Sequence, residues 1–416
     1  MIKILYLALK NLLRYKRRTL LTGLLIAVGM VAVIVFVGLS GSFKKAVVAQ
    51  ITDSLISHMQ VHAMGYTSSI DNLPLDRMIS FEAYEKLLTA LAKIQGITAF
   101  SPRIKFGAML SNYAQTTNVR LNGIDPEKEN SAVPLLASRI RESAGTHVLL
   151  KPGEVLLPEI LAKGMDVKTG DTVVLVANNK EGSVNGMTFK VAGLVESLMG
   201  PGGRDGYLHI NDAATLLRIE KKEISEIAIR VSDFDQLSVL AENLGTLLVS
   251  FKNKQGKPVF ELHTWEQLSP FFNIVRMMAV MNMGIRVILV SVVLISVLNV
   301  MMMSVYERVR EIGTLAAMGT KPGRIMGLFV AEGFSLGLVS ALAGAGIGVG
   351  ALWILDLRGV EVAFGGPSQI FILDPSVSPA EVISSCLIVV AVSILASLQP
   401  AAKAARLAPV DALRHI

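Results

Sequence analysis

Cysteine and charge are both scarce in this sequence of 416 residues, and each shortage excludes a class of protein. The only cysteine is Cys386, so one chain cannot form a disulfide bond or a thiolate metal site. Charged residues make up 18% of the chain and hydrophobic residues 52%, with a mean hydropathy of +0.53. A soluble globular domain does not carry so large an apolar excess, and the composition therefore indicates an integral membrane protein.

Sequence motifs of catalysis are absent as well. The chain has no G-x-x-x-x-G-K-[ST] sequence and therefore no P-loop of its own. The stretch GFSLG matches the nucleophile pattern G-x-S-x-G, but Ser335 lies in a continuous apolar run that predicts a helix instead of a strand-to-helix elbow. His58 and His62 lie four residues apart, yet their segment alternates like a strand and lacks the H-E-x-x-H glutamate. We therefore expect no catalytic residue, no metal ligand and no cofactor on this chain.

What the sequence does contain is four apolar runs long enough to cross a bilayer. A hydrocarbon core about 30 Å thick needs about 20 apolar residues in a helix. A cleavable signal peptide is the alternative for the first run, because six basic residues precede it, but the run is too long and no A-x-A-like site follows. The predicted fold class is an integral membrane α-helical protein with four transmembrane helices.

The distribution of Lys and Arg predicts the orientation of these spans, because excess positive charge stays cytoplasmic. Residues 1–18 hold six basic residues and no acid, whereas residues 356–381 hold one Arg and four acids. Both termini are therefore expected in the cytoplasm, and the basic flanks explain the net charge of +7 without nucleic acid. The predicted segments are a basic N-terminus (1–18), span one (19–41), a periplasmic domain (42–276), span two (277–305), a cytoplasmic loop (306–324), span three (325–355), a periplasmic loop (356–381), span four (382–402) and a cytoplasmic tail (403–416).

The segment between spans one and two has about 235 residues, enough for a full domain, and it is predicted to be α+β. Alternating patterns predict strands at 103–110, 116–121, 171–176, 187–195 and 226–231. Helical spacing predicts helices at 81–94, 211–219 and 233–248, with Ser80 and Asn211 as N-caps. Turns rich in Gly and Pro at 179–186 and 199–206 suggest a division into two lobes.

The loop YERVREIGTLAAMGTKPGRI (306–325) predicts a short amphipathic helix between spans two and three. Its apolar residues fall on one helical face, and Gly319 is a natural C-cap. These apolar residues are Val309, Ile312, Leu315 and Ala316. Two interpretations stay open at this point: the apolar face rests on lipid, or the helix docks on a cytosolic partner. Glu332, early in span three, is costly in mid-bilayer and is expected at the inner interface or in a polar contact there.

Two segments and the four-span layout carry a resemblance to a known family. The segments are LNVMMMSVYERVREIGTLAAMGTKPGRIMGLFVAEG (298–333) and the closing QPAAKAARLAPVDALRHI (399–416). Together with the layout, they resemble the FtsX/MacB-type permease family of ABC transporters. The motif E-R-x-x-E-I-G-x-L-x-A-x-G is a fairly specific part of this resemblance. A weaker resemblance to the lipoprotein-releasing branch, LolC and LolE, runs over nearly the whole chain. It rests on ALKNLLRYKRR (8–18), ISHMQVHAMG (56–65), VRLNGIDP (119–126), GEVLLPEILAKGMDVKTGDTVVL (153–175) and HTWEQLSPFF (263–272).

The resemblance implies a permease subunit of the bacterial inner membrane that works by mechanotransmission. ATP hydrolysis, with ATP and Mg on a separate LolD-like ATPase, would drive the extraction of lipoproteins and their transfer to a LolA-like periplasmic chaperone. A second permease chain would complete a homodimer or heterodimer. The alternative is a MacB-like permease for efflux of macrolides, peptides or other periplasmic substrates. In neither case is the chain itself an enzyme.

Residue by residue, the resemblance implies that the segment from Glu307 to Gly319 is a coupling helix that contacts the ATPase. The expected coupling residues are Glu307, Arg308, Arg310, Glu311, Ile312, Leu315 and Gly319. The Gly/Pro-rich segment 198–206 is a candidate hook for the chaperone.

Small residues in span three predict close helix packing. The run AGAGIGVG resembles a dinucleotide loop only superficially, because it lies inside an apolar span. Gly333 with Gly337, and Gly346 with Gly350, fit the small-xxx-small pattern. We expect these glycines to pack span three against another helix of the chain or against a second permease.

Overall fold

The structure is a computed structural model that describes residues 16–143, 149–197, 204–219, 223–363 and 370–407. The chain forms two compact units. The helix unit comprises Met1–Ala46 and Val275–Ile416, and the sheet unit comprises Val47–Ile274. The sheet unit corresponds to the domain predicted at residues 42–276.

The α-helices are α1 (Lys16–Ile51), α2 (Phe81–Leu91), α3 (Pro126–Ala132), α4 (Glu159–Gly164), α5 (Ile210–Leu216), α6 (Leu237–Val249), α7 (Trp265–Leu268), α8 (Phe272–Glu307), α9 (Val309–Ala317), α10 (Pro322–Arg358) and α11 (Pro379–Ala405). A π-helical turn, Thr52–Ile56, follows α1 directly. The 3₁₀ turns are Thr67–Asn72, Leu75–Arg77, Ala137–Arg139 and Phe234–Gln236.

The β-strands are β1 (Met59–Ala63), β2 (Ile97–Ser111), β3 (Thr116–Ile124), β4 (Ile140–Ser143), β5 (Glu154–Pro158), β6 (Thr172–Asn178), β7 (Val184–Val195), β8 (Gly206–His209), β9 (Glu226–Val231), β10 (Phe260–Thr264), β11 (Val360–Ala363) and β12 (Ile370–Leu373). Strands β11 and β12 pair with each other, and the other ten form one sheet.

Four helical stretches of the described chain are long and apolar enough to cross a membrane. They are Thr19–Ile56, Phe272–Glu307, Pro322–Arg358 and Pro379–Ala405. This result confirms the predicted fold class. Each helix continues past its apolar run. At the start of α11, Ser378 and Glu381 form a reciprocal capping box around Pro379 at the first helical position.

The helix unit packs through its third span, helix α10. A Cβ atom on Gly337 would lie 2.6 Å from the Ser393 Cβ of α11, so only glycine fits at this contact. A Cβ atom on Gly333 would likewise lie 2.7 Å from the Cβ of Ser397, which is also in α11. Small side chains on both helices therefore bring α10 and α11 into close contact.

The glycines that contact α1 are not the predicted ones. A Cβ on Gly344 would lie 2.6 Å from the backbone oxygen of Ala27, whereas Gly346 and Gly350 have no described atom within 4 Å. Gly348 lies against Ile34 of α1. Residues two positions apart point about 200° apart around a helix, so the two pairs lie on opposite sides of α10. Of the two expected contacts for Gly346 and Gly350, no described helix of the chain provides one, and contact with a second permease stays a prediction.

The sheet unit contains one continuous sheet with the strand order β10-β1-β9-β2-β3-β8-β5-β7-β4, and β6 pairs with β2 and β7. All five predicted strands are confirmed and correspond to β2, β3, β6, β7 and β9. The two lobes suggested by the Gly- and Pro-rich turns are joined in this one sheet by the long strand β2. It pairs with β9 over Ile97–Arg103 and with β3 over Arg103–Ser111.

The ends of the predicted helices differ from the structure. Helices α2 and α5 end earlier than predicted, at Leu91 and Leu216, and α6 starts only after the 3₁₀ turn Phe234–Gln236. Ser80 precedes α2 as expected but makes no capping hydrogen bond through its side chain. Asn211 is not an N-cap: the cap is His209, whose Nδ1 accepts the Asn211 N–H at 3.2 Å.

The close approach of α10 and α11 gives a testable prediction for Gly337. Gly337→Val should destabilise the purified chain by about 1–3 kcal/mol, because overpacking forces the two helices apart. Thermal unfolding in detergent measures the effect. Gly327→Val is the matched control on the same helix, since its Cβ would meet no described atom within 4 Å. Equal shifts for the two variants would contradict this account of the packing.

Candidate functional site

The segment between α8 and α10 is a short helix bounded by two breaks. Arg308 is non-helical, with φ −108° and ψ 13°, and it separates α8 from the nine-residue helix α9. At the other end, Gly319 has φ +84°, a left-handed conformation that favours glycine. The Gly319 N–H binds the Ala316 carbonyl at 3.0 Å, and the Thr320 N–H binds the Leu315 carbonyl at 3.1 Å. The predicted amphipathic helix and its termination at Gly319 are confirmed.

The apolar face of α9 packs into the helix unit itself. Val309 and Ile312 are buried, and Leu315 and Ala316 are half-buried. Ile312 belongs to the same hydrophobic core as Val305 of α8. Val309 and Ile312 are therefore covered by the chain itself and not by lipid, whereas docking of α9 on a cytosolic partner stays a prediction. The sequence shows that a face is apolar but does not show what covers it.

The opposite face of α9 is open to solvent and carries charge. Glu311 has 47% of its side chain exposed, and Met318, at the end of the helix, is 70% exposed. The other exposed positions are Tyr306, Glu307, Arg310, Thr314, Ala317 and Gly319. A protein on this side of the membrane can therefore reach the polar face and not the apolar one.

The residues expected to couple to an ATPase are thus divided between two faces. Glu307, Arg310, Glu311 and Gly319 are exposed. Arg308 and Ile312 are buried and Leu315 is half-buried, so these three face the helix unit. The sequence motif therefore contains two kinds of residue: some form the exposed surface of α9, and others pack α9 against the rest of the helix unit.

Glu332 lies in the polar contact that its position predicted. Arg308 Nη1 donates to Glu332 Oε1 at 2.8 Å, and the two side chains are only 7% and 5% exposed. The Arg308 Nε also lies 3.7 Å from Glu311 Oε2 on the exposed side of α9. A carboxylate in a spanning helix is costly unless it is paired, and Arg308 supplies the opposite charge. The pair connects the start of α9 to α10.

A second contact joins the ends of α8 and α11 next to this segment. Lys403 Nζ lies 3.0 Å from the Tyr306 hydroxyl and 5.4 Å from the centre of its ring. Both side chains are exposed, so this contact borders the open face of α9 without burying charge.

A buried ion cluster in the sheet unit is the other concentration of titratable groups. Arg103 binds Glu129 through two hydrogen bonds of 3.1 and 2.6 Å and donates to Glu226 at 3.0 Å. Lys105 Nζ lies 3.0 Å and His62 Nε2 lies 3.4 Å from the Glu226 carboxylate. Since every charge in this cluster has an opposite charge beside it, the cluster holds strands β1, β2 and β9 and helix α3 together and is structural.

The two histidines confirm the strand interpretation of their segment. His62 lies in β1, and His58 just precedes it, where its Nδ1 accepts the Val231 N–H at 3.1 Å. Within the described ranges, no three His, Cys, Asp or Glu side chains are arranged to hold a metal ion. The candidate chaperone hook is predicted at 198–206. Its residues 198–203 lie outside the described residues.

Two family models match the chain and together cover both units. The MacB-like periplasmic core domain matches residues 19–247, more than half of the chain, and the FtsX-like permease C-terminal domain matches residues 283–409. The second match includes α9 and both members of the Arg308–Glu332 pair.

Three relatives illustrate the range of similar proteins. The chain is 26% identical over 412 residues to the lipoprotein-releasing system transmembrane protein LolC of Neisseria meningitidis serogroup B, covering 94% of this chain and 92% of that protein. It is 25% identical to the uncharacterized ABC transporter permease YknZ of Bacillus subtilis, covering 98% of both. It is 24% identical to the macrolide export ATP-binding/permease protein MacB of Hahella chejuensis, covering 96% of this chain but only 58% of MacB.

The ion cluster gives a prediction for the stability of the sheet unit. Glu226→Gln leaves Arg103 and Lys105 buried without this counter-charge and should cost about 3–5 kcal/mol in unfolding free energy. Glu159→Gln is the control, because it breaks an exposed pair with Lys163 that is worth about 1 kcal/mol or less. Chemical unfolding followed by circular dichroism compares the two. Similar costs for both variants would show that the buried cluster is not stabilising.

The stabilisation by Glu226 should depend on pH. Burial alone would raise the pKa of this carboxyl, but Lys105, His62 and Arg103 outweigh burial and hold the pKa below its ordinary value of 4.5. The folded protein therefore favours the ionised form, and the stabilisation is complete above the unfolded-state pKa and is lost as the pH falls towards the folded-state pKa. The difference in Tm between wild type and Glu226→Gln should narrow below pH 4.5. A difference independent of pH would contradict this.

Proposed function

Because the chain belongs to the FtsX/MacB-type permease family of ABC transporters, we propose that it is the permease subunit of a lipoprotein-releasing complex. ATP hydrolysis on a separate ATPase chain, which holds ATP and Mg, drives extraction of lipoproteins from the bacterial inner membrane. The lipoproteins then pass to a periplasmic chaperone of the LolA type. The observation that carries this proposal is the match to LolC-type proteins over 92% of their length.

The two-faced helix α9 supports an ATP-driven mechanism. Its polar face, with Glu307, Arg310 and Glu311, is exposed and would dock on a LolD-like ATPase. Its apolar face is buried in the helix unit, through Val309 and Ile312. A movement imposed on the polar face therefore acts on a helix that is packed against the spans. In this arrangement the chain carries no reaction of its own and serves to transmit motion.

A second permease chain completes the proposed complex, as a homodimer or a heterodimer. Gly346 and Gly350 line the side of α10 that meets no described atom, next to the exposed side chains of Leu342, Ile347 and Trp353. Small residues allow close approach of helices in lipid, so this side of α10 suits a helix of the second chain. The basic flanks at residues 1–18 and 306–324 support an inner-membrane orientation with both termini in the cytoplasm.

Export of the MacB type is the second candidate function. It is favoured by the match of residues 19–247 to the MacB-like periplasmic core domain and by the similarity to MacB over 96% of this chain. Such a permease would move macrolides, peptides or other periplasmic substrates, with a periplasmic adaptor and an outer-membrane channel as partners. The two candidates therefore differ in partners and not in the fold of this chain.

Mass spectrometry of the complex, purified gently from its own membranes, separates these functions. Lipoprotein release predicts a separate ATPase together with N-terminally acylated proteins. Export of the MacB type predicts an ATPase with a periplasmic adaptor and no lipoprotein. A complex without any ATPase would contradict both.

The exposed acidic residues of α9 give a prediction for coupling. Glu307→Lys combined with Glu311→Lys should reverse the charge of the docking face and uncouple ATP hydrolysis from transport, while the protein still inserts in the membrane. ATPase retention and lipoprotein released per ATP are the measurements. Glu82→Lys combined with Glu85→Lys is the control, because it makes the same charge change at exposed positions of α2. Unchanged retention and unchanged transport in the α9 variant would refute its role in docking.

A further inference from the structure

Arg308 belongs to two helices at once. Its backbone carbonyl accepts the Ile312 N–H at 2.9 Å and so starts α9, whereas its guanidinium binds Glu332 of α10 at 2.8 Å. The two residues are 24 positions apart in the chain. The pair therefore bridges the connection between the two helices.

The helical backbone is interrupted at both ends of α9. The non-helical Arg308 interrupts the hydrogen-bonded helix on one side, and Gly319 in a left-handed conformation interrupts it on the other. Among the described contacts of α9, the ion pair is accompanied by the apolar packing of Val309 and Ile312. Apolar burial resists separation of two helices, but it is non-directional and permits small sliding movements.

The ion pair fixes the position of α9 along α10, which apolar packing alone does not do. The Arg308 and Glu332 side chains are only 7% and 5% exposed, so both charges are largely removed from water. Sliding α9 along α10 would separate two buried charges, which is far more costly than shifting apolar contacts. The pair therefore holds α9 in one register on α10.

We propose that Arg308 and Glu332 are positioning residues that make α9 and α10 move as one body, so that a displacement of α9 reaches the third span. The inference rests on the proposed function of α9 as the helix that docks on the ATPase. It adds the specific link through which the movement enters the membrane. Both residues are buried between α9 and α10, away from the exposed polar face of α9.

Three variants separate positioning from simple stabilisation. Glu332→Gln removes the negative charge that faces the buried Arg308, so this variant can also destabilise the protein. Arg308→Met combined with Glu332→Met replaces both charges by apolar side chains of similar length, a change that is often neutral or stabilising. Ser335→Ala is the control: Ser335 is buried one turn further along α10, and its hydroxyl binds only the Ala331 carbonyl of the same helix, at 2.8 Å, among the contacts described.

The measurements use the permease reconstituted in nanodiscs with the ATPase that copurifies with it. A donor dye is attached at Tyr113→Cys, an exposed turn between β2 and β3, in a Cys386→Ala background, and acceptor dyes are placed on the lipids. Energy transfer between them reports the movement of the sheet unit relative to the bilayer without need of a transported substrate. ATPase retention, ATP hydrolysis, Tm and lipoprotein released per ATP are recorded for the same samples.

The double Met variant should keep its Tm, retain the ATPase and hydrolyse ATP. It should lose the nucleotide-dependent change in energy transfer, and lipoprotein released per ATP should fall by about fivefold or more, the range of coupling between linked sites. Ser335→Ala should behave like wild type in every measurement.

A double Met variant that keeps the wild-type energy-transfer change would overturn the inference, because the pair would then only stabilise the fold. Failure of the proposed function is recognised separately. A wild-type complex that shows the nucleotide-dependent change but releases no lipoprotein contradicts the proposed substrate. In that case the energy-transfer comparison between wild type and the double variant alone decides the role of the pair.

Discussion

A charge that is removed from water must have an opposite charge beside it, and this requirement shapes both units of the protein. In the helix unit it joins Arg308 to Glu332 and thereby attaches α9 to the third span. In the sheet unit it gathers Arg103, Lys105 and His62 around Glu226 at the centre of the sheet. The chain has a single cysteine and cannot use internal disulfides, so buried ion pairs and packing hold the fold together.

The sequence predicts the elements of this fold better than their contacts. Hydropathy identifies the four spans, and alternation identifies five strands, because each signal is local. The sequence does not identify Glu226 as the centre of an ion cluster, since the partners of this residue come from distant strands. The same limit applies to span three. Gly344 and Gly348 have the same spacing as Gly346 and Gly350, so the sequence does not distinguish the two pairs. Only the position of α1 in the structure shows that Gly344 and Gly348 are the pair in contact with it.

Helix α9 shows why a motif and a binding surface are not the same thing. Its apolar residues suggest a surface for another molecule, yet Val309 and Ile312 are covered by the chain itself. The surface left for a partner is the polar one, which periodicity alone would assign to solvent. A short helix between two spans therefore has to be divided by face before any of its residues is given a role. Glu332 marked this region from the sequence, although its partner could be found only in the structure.

The pairing of β1 with β10 has a consequence for the architecture of such proteins. Strand β1 follows the first spanning helix, β10 precedes the second, and Met59 lies opposite Thr264 in their antiparallel ladder. The chain therefore enters and leaves the sheet unit at neighbouring points, which is the geometry that allows one domain to be inserted into a loop of another. A four-helix scaffold with such a connection can exchange its inserted domain during evolution, because the two ends of the loop need not move apart.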